Sequence, residues 1–173
     1  MTHCRILLDA NVMIECFRIG AWAELARGCW LESVEECCKE ALTGDNSMAG
    51  RVAVDATALR QGLRQVHQVG RAERNQLILQ HRAMVSLDPG EMDLYAHLLA
   101  VGGPRAGLLV VSTADKGAIV RANDLGWLDQ LISFEELLTQ AGASRPKMNA
   151  LQKHYGAAWL GEVRTKIRLG VIP

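Results

Sequence analysis

What this sequence lacks narrows its reading. It has five cysteines, Cys4, Cys16, Cys29, Cys37 and Cys38, but no C-x-x-C pair. The count is odd, and the adjacent Cys37 and Cys38 suit neither an ordinary disulfide nor a zinc site. They read as small buried hydrophobes in a reducing compartment. No G-x-G-x-x-G follows the first apolar run, which excludes a dinucleotide cradle of that kind. No G-x-S-x-G nucleophile elbow occurs. No apolar stretch approaches the roughly 20 residues of a membrane span. The first residues lack the basic flank and apolar core of a signal peptide. The expected location is cytoplasmic, with no membrane association. Net charge is zero, from 19 basic and 19 acidic residues, so any surface for nucleic acid must be local.

What is present is an apolar chain of 173 residues, enough for one domain with a full core. "CRILLDANVMIE" opens with a short, continuous apolar run that reads as a buried strand. It drives straight into Asp9, with Asn11 two positions later. A helix is expected over much of residues 11 to 27, broken near Gly20. "CWLESVEECCKEAL" restarts the helical pattern. Ser33 and Glu36 have capping-box spacing, so a helix should begin there, and Gly44, Asp45 and Asn46 should end it. Residues 55 to 83 read as helical, interrupted near Gly70.

Further on, Asp88 caps a helix, Pro89 fits its first position, and Gly102-Gly103 stops it. Residues 107 to 113 form a second buried strand, running into Thr113 and Asp115. "LDQLIS" is a third strand candidate, and Ser133 with Glu136 caps another helix. Strands alternating with helices predict an α/β fold, three layers α/β/α around a central, mostly parallel sheet. Residues 1–142 make up this domain. Residues 143–173 are a basic, helical extension carrying Arg145, Lys147, Lys153, Arg164, Lys166 and Arg168.

In such sheets, sites form beyond the carboxyl ends of the strands. Asp9 and Asp115 lie at such ends. Glu36, Glu91 and Asp93 lie in first turns of helices. Carboxylates crowded together repel, and a hard divalent cation removes that cost. Mg²⁺ or Mn²⁺ takes oxygen ligands and serves phosphate chemistry, activating water and stabilising the leaving oxygen. Glu91 and Asp93 compete for one place. Glu91 shares an apolar stripe with Leu94, Tyr95 and Leu98, which points it inward. Asp93 shares its face with His97 and reads as more exposed. Glu35 competes with Glu36. Each acid also has a bland role: Glu36 closes its box with Ser33, Asp115 caps a helix, and Glu91 completes a box with Asp88.

"LLDANVMIE", "SVEEC", "GEMDLYAHLLA" and "VVSTADKGA", in this order, resemble the PIN domain family over roughly residues 5 to 138. PIN domains are mostly metal-dependent ribonucleases, and many are toxins of bacterial toxin–antitoxin pairs. The resemblance implies that Asp9, Glu36, Glu91 or Asp93, and Asp115 hold Mg²⁺ or Mn²⁺. Asn11 and Thr113 would be polar supports. It implies hydrolysis of RNA, an antitoxin-like protein partner, and a homodimer. The basic extension lies outside the usual small toxin domain.

Other readings are weaker. A haloacid-dehalogenase-like phosphatase needs Asp at the second position after Asp9, where Asn11 stands. The acidic pair of a receiver domain is absent. A PIN-like module that binds RNA or a protein partner without cutting is the main alternative. The Arg-bearing helices (Arg60, Arg64, Arg71, Arg74, Arg82) and the basic extension would contact phosphates, or else form solvated faces. Lys116 would contact a phosphate or serve as an ordinary surface lysine. Trp22, Trp30, Trp127 and Trp159 read as core or interface anchors.

Overall fold

The computed structural model describes residues 5–43 and 52–172. Its centre is a four-stranded sheet, parallel throughout, flanked by helices in an α/β/α arrangement. The strands are β1 (Arg5–Leu8), β2 (Trp30–Val34), β3 (Gln65–His67) and β4 (Leu109–Ser112), in spatial order β3-β2-β1-β4. The chain thus winds outward from β1 through β2 to β3, then returns to pair β4 on β1's other edge. The carboxyl ends of β1 and β4 flank the point where the winding reverses, the place where open α/β sheets leave a crevice.

Between β1 and β2 run α1 (Ala10–Arg18) and α2 (Trp22–Gly28). The break falls where expected, at Gly20, whose φ of +66° favours glycine. Gly28 ends α2 close against Ala141; a Cβ there would lie 2.7 Å from the Ala141 Cα.

The segment 29–42 departs from expectation. It is not one helical pattern but β2 followed by α3 (Glu35–Leu42). Ser33 is a strand residue, and its hydroxyl donates to Leu8 O at 2.7 Å. It therefore caps nothing, and α3 starts without a side-chain cap. The Gly44-Asp45-Asn46 stop lies outside the described residues, as does Cys4. Residues 55–83 also divide, into α4 (Ala56–Gly62), β3 and α5 (Arg71–Gln80). The edge strand β3 has three residues, too short for an alternation to show.

Three caps form as the sequence predicts. Asp88 precedes α6 (Pro89–Ala100), Asp115 caps α8 (Lys116–Asp124), and Ser133 caps α9 (Phe134–Gln140) through the box with Glu136. A short helix, α7 (Pro104–Gly107), leads into β4. The third strand candidate reduces to one parallel bridge, Val111 with Leu131.

Residues 143–173 contribute α10 (Arg145–Asn149) and α11 (Ala157–Arg168). They join the same core: Tyr155, Leu160, Val163 and Ile167 are buried in it. Their cations are largely used locally. Lys147 pairs with Glu24, Lys166 with Glu162, and Arg168 with Asp129. Arg164 donates to the Leu128 and Leu131 carbonyls. Buried Cys16, Cys37 and Cys38 are free thiols packed as small hydrophobes. No helix among the described residues is long and apolar enough to cross a membrane.

Candidate functional site

β1 carries Asp9 to the sheet's carboxyl edge, and β4 carries Thr113 there beside it. Asp9 is buried, so every oxygen needs a donor. Its Oδ1 accepts from Ala10 N at 2.7 Å, making it the N-cap of α1. Its Oδ2 accepts from the Thr113 hydroxyl at 2.7 Å. The Cys37 thiol lies 3.8 Å from Oδ1. Thr113 Oγ1 in turn accepts from Asp115 N at 3.1 Å. Asn11 Oδ1 accepts from Ala114 N at 3.5 Å, tying α1 to the loop after β4.

A pocket of about 310 Å³ opens at this edge, lined by Asp9, Ala10, Asn11, Ile14, Glu40, Asp88, Glu91 and Asp115. Five of these eight are acids and none is basic. Glu91 points inward, as its apolar stripe indicates, and it also closes the box with Asp88, accepting from Asp88 N at 3.3 Å. The two roles proposed for it coexist in one side chain. Asp115 caps α8, accepting from Ala118 N at 2.9 Å, and still borders the pocket.

Glu36 and Asp93 are not among the lining residues. Glu36 sits on α3 in a pair with Lys39. Glu35 is taken by Arg60 through two hydrogen bonds. Asp93 is buried rather than exposed, gripped bidentately by Arg74 of α5 at 2.5 and 2.7 Å.

The acid from α3 that reaches the pocket is Glu40, one turn beyond Glu36 on the same face. Its Oε1 accepts from Gly90 N at 2.9 Å. A Cβ on Gly90 would collide with the Glu40 carboxylate and stand 3.0 Å from Cys37 Sγ. Sequence reasoning missed Glu40 because the capping-box spacing drew attention to Glu36. A glycine inside the first turn of α6 was the available signal, since glycine there costs stability unless something approaches closely.

The electrostatics follow from crowding. Burial raises the Asp9 carboxyl to about 6; the Thr113 hydroxyl and Ala10 amide oppose this, while Glu40 and Asp115 add to it. Burial, then the charges of Asp9 and Asp115, lift Glu91 to about 8. Burial also raises Glu40. The pocket is short of positive charge.

Its donors are all oxygen, which suits a hard divalent cation rather than a soft one. The cradle at Gly90 holds the Glu40 carboxylate, which has no ion-pair partner among the described residues. Among the described residues, no three Asp, Glu, His or Cys side chains stand in an arrangement that would hold a metal ion. The acids line the pocket walls. No known family model, curated protein or solved structure matches this chain.

Proposed function

We infer that this chain is a hydrolase of RNA phosphodiesters that works with Mg²⁺ or Mn²⁺. One observation carries the reading: Asp9, Glu40, Glu91 and Asp115 share a pocket at the sheet's reversal point, with no basic residue among its described lining. The PIN-like order of the sequence motifs supports RNA as the polymer. Asp9, Glu40, Glu91 and Asp115 line the pocket without forming a ready-made cage; with a substrate phosphate completing the site they would hold the cation, which would polarise a phosphoryl oxygen and lower the pKa of water. Thr113 and Ala10 N fix both oxygens of Asp9, so its carboxylate presents one orientation. Asn11 keeps the two acid-bearing loops in register. Lys116, exposed at the start of α8 beside Asp115, is placed to meet a substrate phosphate.

A second reading, a PIN-like module that grips RNA without cutting, draws on the acids' position along the pocket walls rather than around one point. Calorimetric titration with Mn²⁺ separates the two. On the hydrolase reading, wild type binds Mn²⁺, Asp9→Asn and Asp115→Asn bind it weakly, and only wild type cleaves RNA at an appreciable rate. A folded Asp9→Asn variant that cleaves as fast as wild type removes the mechanism.

A further inference from the structure

At the opposite edge of the sheet, Trp30 begins β2 and keeps 42% of its surface exposed. Of the two roles the sequence suggests for it, core anchor and interface anchor, this exposure removes the first. Trp22, in contrast, is buried. The Trp30 ring is held rather than loose. Its indole Nε1 donates to Glu32 Oε1 at 2.8 Å. Glu32 is buried and saturated: Arg5 donates to both of its oxygens, and His67 Nε2 lies 2.7 Å from Oε2. The indole thus hangs on a fixed carboxylate whose charge Arg5 already balances.

Two arginines lie near this ring. The Arg64 guanidinium carbon lies over the Trp30 ring, 5.9 Å from its centroid. Arg27 joins Arg64, Trp30, Gly28 and Cys29 in lining a small hollow of about 90 Å³. That volume equals roughly three waters at about 30 Å³ each, room for a phosphate. Among the described residues, no carboxylate lines it. Among the described residues, Arg27 and Arg64 take part in no ion pair, a state they share with Arg71, Arg82, Arg105, Arg145 and Arg164, whereas Arg5, Arg18, Arg60, Arg74, Arg121 and Arg168 are paired; Arg27 and Arg64 are the two that line a hollow beside an exposed aromatic ring. Arg27 Nε donates to Ala23 O at 3.2 Å, and its charge also acts on Glu24 one turn back on α2.

A rigid aromatic face with unpaired arginines beside it is how proteins hold single-stranded nucleic acid. Bases stack on the ring and phosphates meet the cations. We propose that Trp30, Arg27 and Arg64 form an exosite for single-stranded RNA, with one base on Trp30 and its phosphate between the two arginines. This deepens the ribonuclease reading and takes RNA as the polymer from it. The five residues of β2 span about 13 Å, four steps of roughly 3.3 Å, from the exosite's end of the sheet to the end that carries the acidic pocket. A strand several nucleotides long reaches both places, and a dinucleotide does not.

The test is fluorescence anisotropy of a labelled 12-nucleotide oligouridylate, with EDTA present so that no cleavage intervenes. Trp30→Ala and the double variant Arg27→Ala/Arg64→Ala are each expected to weaken binding about tenfold or more. The double variant should also flatten the log–log salt dependence by about 0.7, the share of one phosphate on a single strand. Arg27 and Arg64 are exposed, so the double variant keeps the test valid if Trp30→Ala fails to fold; thermal melts report this. Unchanged affinity in the folded variants, or no binding by wild type, overturns the exosite. With Mn²⁺, cleavage of a dinucleotide at wild-type rate by the double variant, with a raised KM only on the 12-mer, supports it. Binding that depends on Trp30 without any cleavage leaves the exosite standing and fells the ribonuclease reading. Cleavage by wild type with RNA affinity unmoved by the substitutions fells the exosite alone.

Discussion

Gly90 N donates to Glu40 Oε1 at 2.9 Å, and a methyl group on Gly90 would strike the same carboxylate. The contact joins α3 to α6 and brings two acids, Glu40 and Glu91, to one pocket. Glycine inside a helix ordinarily loses to alanine by about 0.5–1 kcal/mol. Here Gly90→Ala is expected to reverse that preference. The new methyl group would displace Glu40, lower Tm, and cut Mn²⁺ affinity by about tenfold or more. Differential scanning calorimetry and Mn²⁺ titration read both. A higher Tm with unaltered affinity would mean that the close approach does not matter.

The acids can be sorted by exchange to their amides. Glu40→Gln should reduce RNA cleavage by about a hundredfold or more, in the range for loss of a group that holds transition-state charge. Glu36→Gln should leave the rate within about twofold, because Glu36 meets only Lys39. Asp93→Asn should act on stability instead. It breaks the bidentate bond from Arg74, at a cost of about 1 kcal/mol after allowing for the solvent exposure of Arg74. Steady-state kinetics beside thermal melts separates the three cases. Full activity in Glu40→Gln would return the second place in the site to Glu36.

Acid should destabilise the protein through the cluster under Trp30. Burial, followed by the charge of His67, depresses His97 to about 4; its ring stacks on His67 with centroids 3.8 Å apart. Burial works against ionised Glu32, but the bonds from His67, Arg5 and Trp30 prevail and bring it to about 2. Both groups bind protons less readily folded than unfolded. Stability from His97 is present above about 6.5 and is lost as pH falls through about 4. Stability from Glu32 is present above about 4.5 and is lost towards 2. Asp9 and Glu91, raised by burial, act in the opposite sense over the same window, so the His97 contribution is read as a difference between variants. In urea melts, the pH 7 to pH 4 slope of unfolding free energy should be more favourable to the folded state at acid pH in His97→Gln than in wild type, by on the order of 2 kcal/mol. An unaltered slope would show that His97 titrates freely.

The sequence was legible where local chemistry and tertiary position agree. Asp9, Asp88, Asp115 and Ser133 cap helices as their residue types demand, and Gly20 breaks one. The apolar runs before Asp9 and Thr113 are the strands β1 and β4. β2 was not legible, because Glu32 and Ser33 break its apolar run. Both are satisfied by partners distant in sequence, Arg5, His67 and Leu8, which no local pattern reveals. Glu40 was hidden for the same reason, since its partner Gly90 lies fifty residues on. Asp93 was misjudged because Arg74 makes burial of a charge tolerable. The inward turn of Glu91, by contrast, followed from helical periodicity alone.

The C-terminal segment reads as an appendage from its charge, yet it braces the helix that Asp9 caps. The Tyr155 hydroxyl donates to Asn11 O at 3.1 Å, in the first turn of α1. Gln152 N donates to buried Glu15 at 3.0 Å, and Arg18 donates to Ala150 O at 2.6 Å. Tyr155→Phe keeps the ring's packing against Phe134 and removes only the hydroxyl. One such bond contributes about 1 kcal/mol, so Tm should fall by about 2–4 °C in a chain of this size. If the bond also holds α1 in place under Asp9, the variant should lose Mn²⁺ affinity as well, by a few-fold. A lowered Tm with full Mn²⁺ affinity would confine the segment to stability. A drop in both would make residues 143–173 part of the acidic pocket's support, which their basic composition gives no reason to expect.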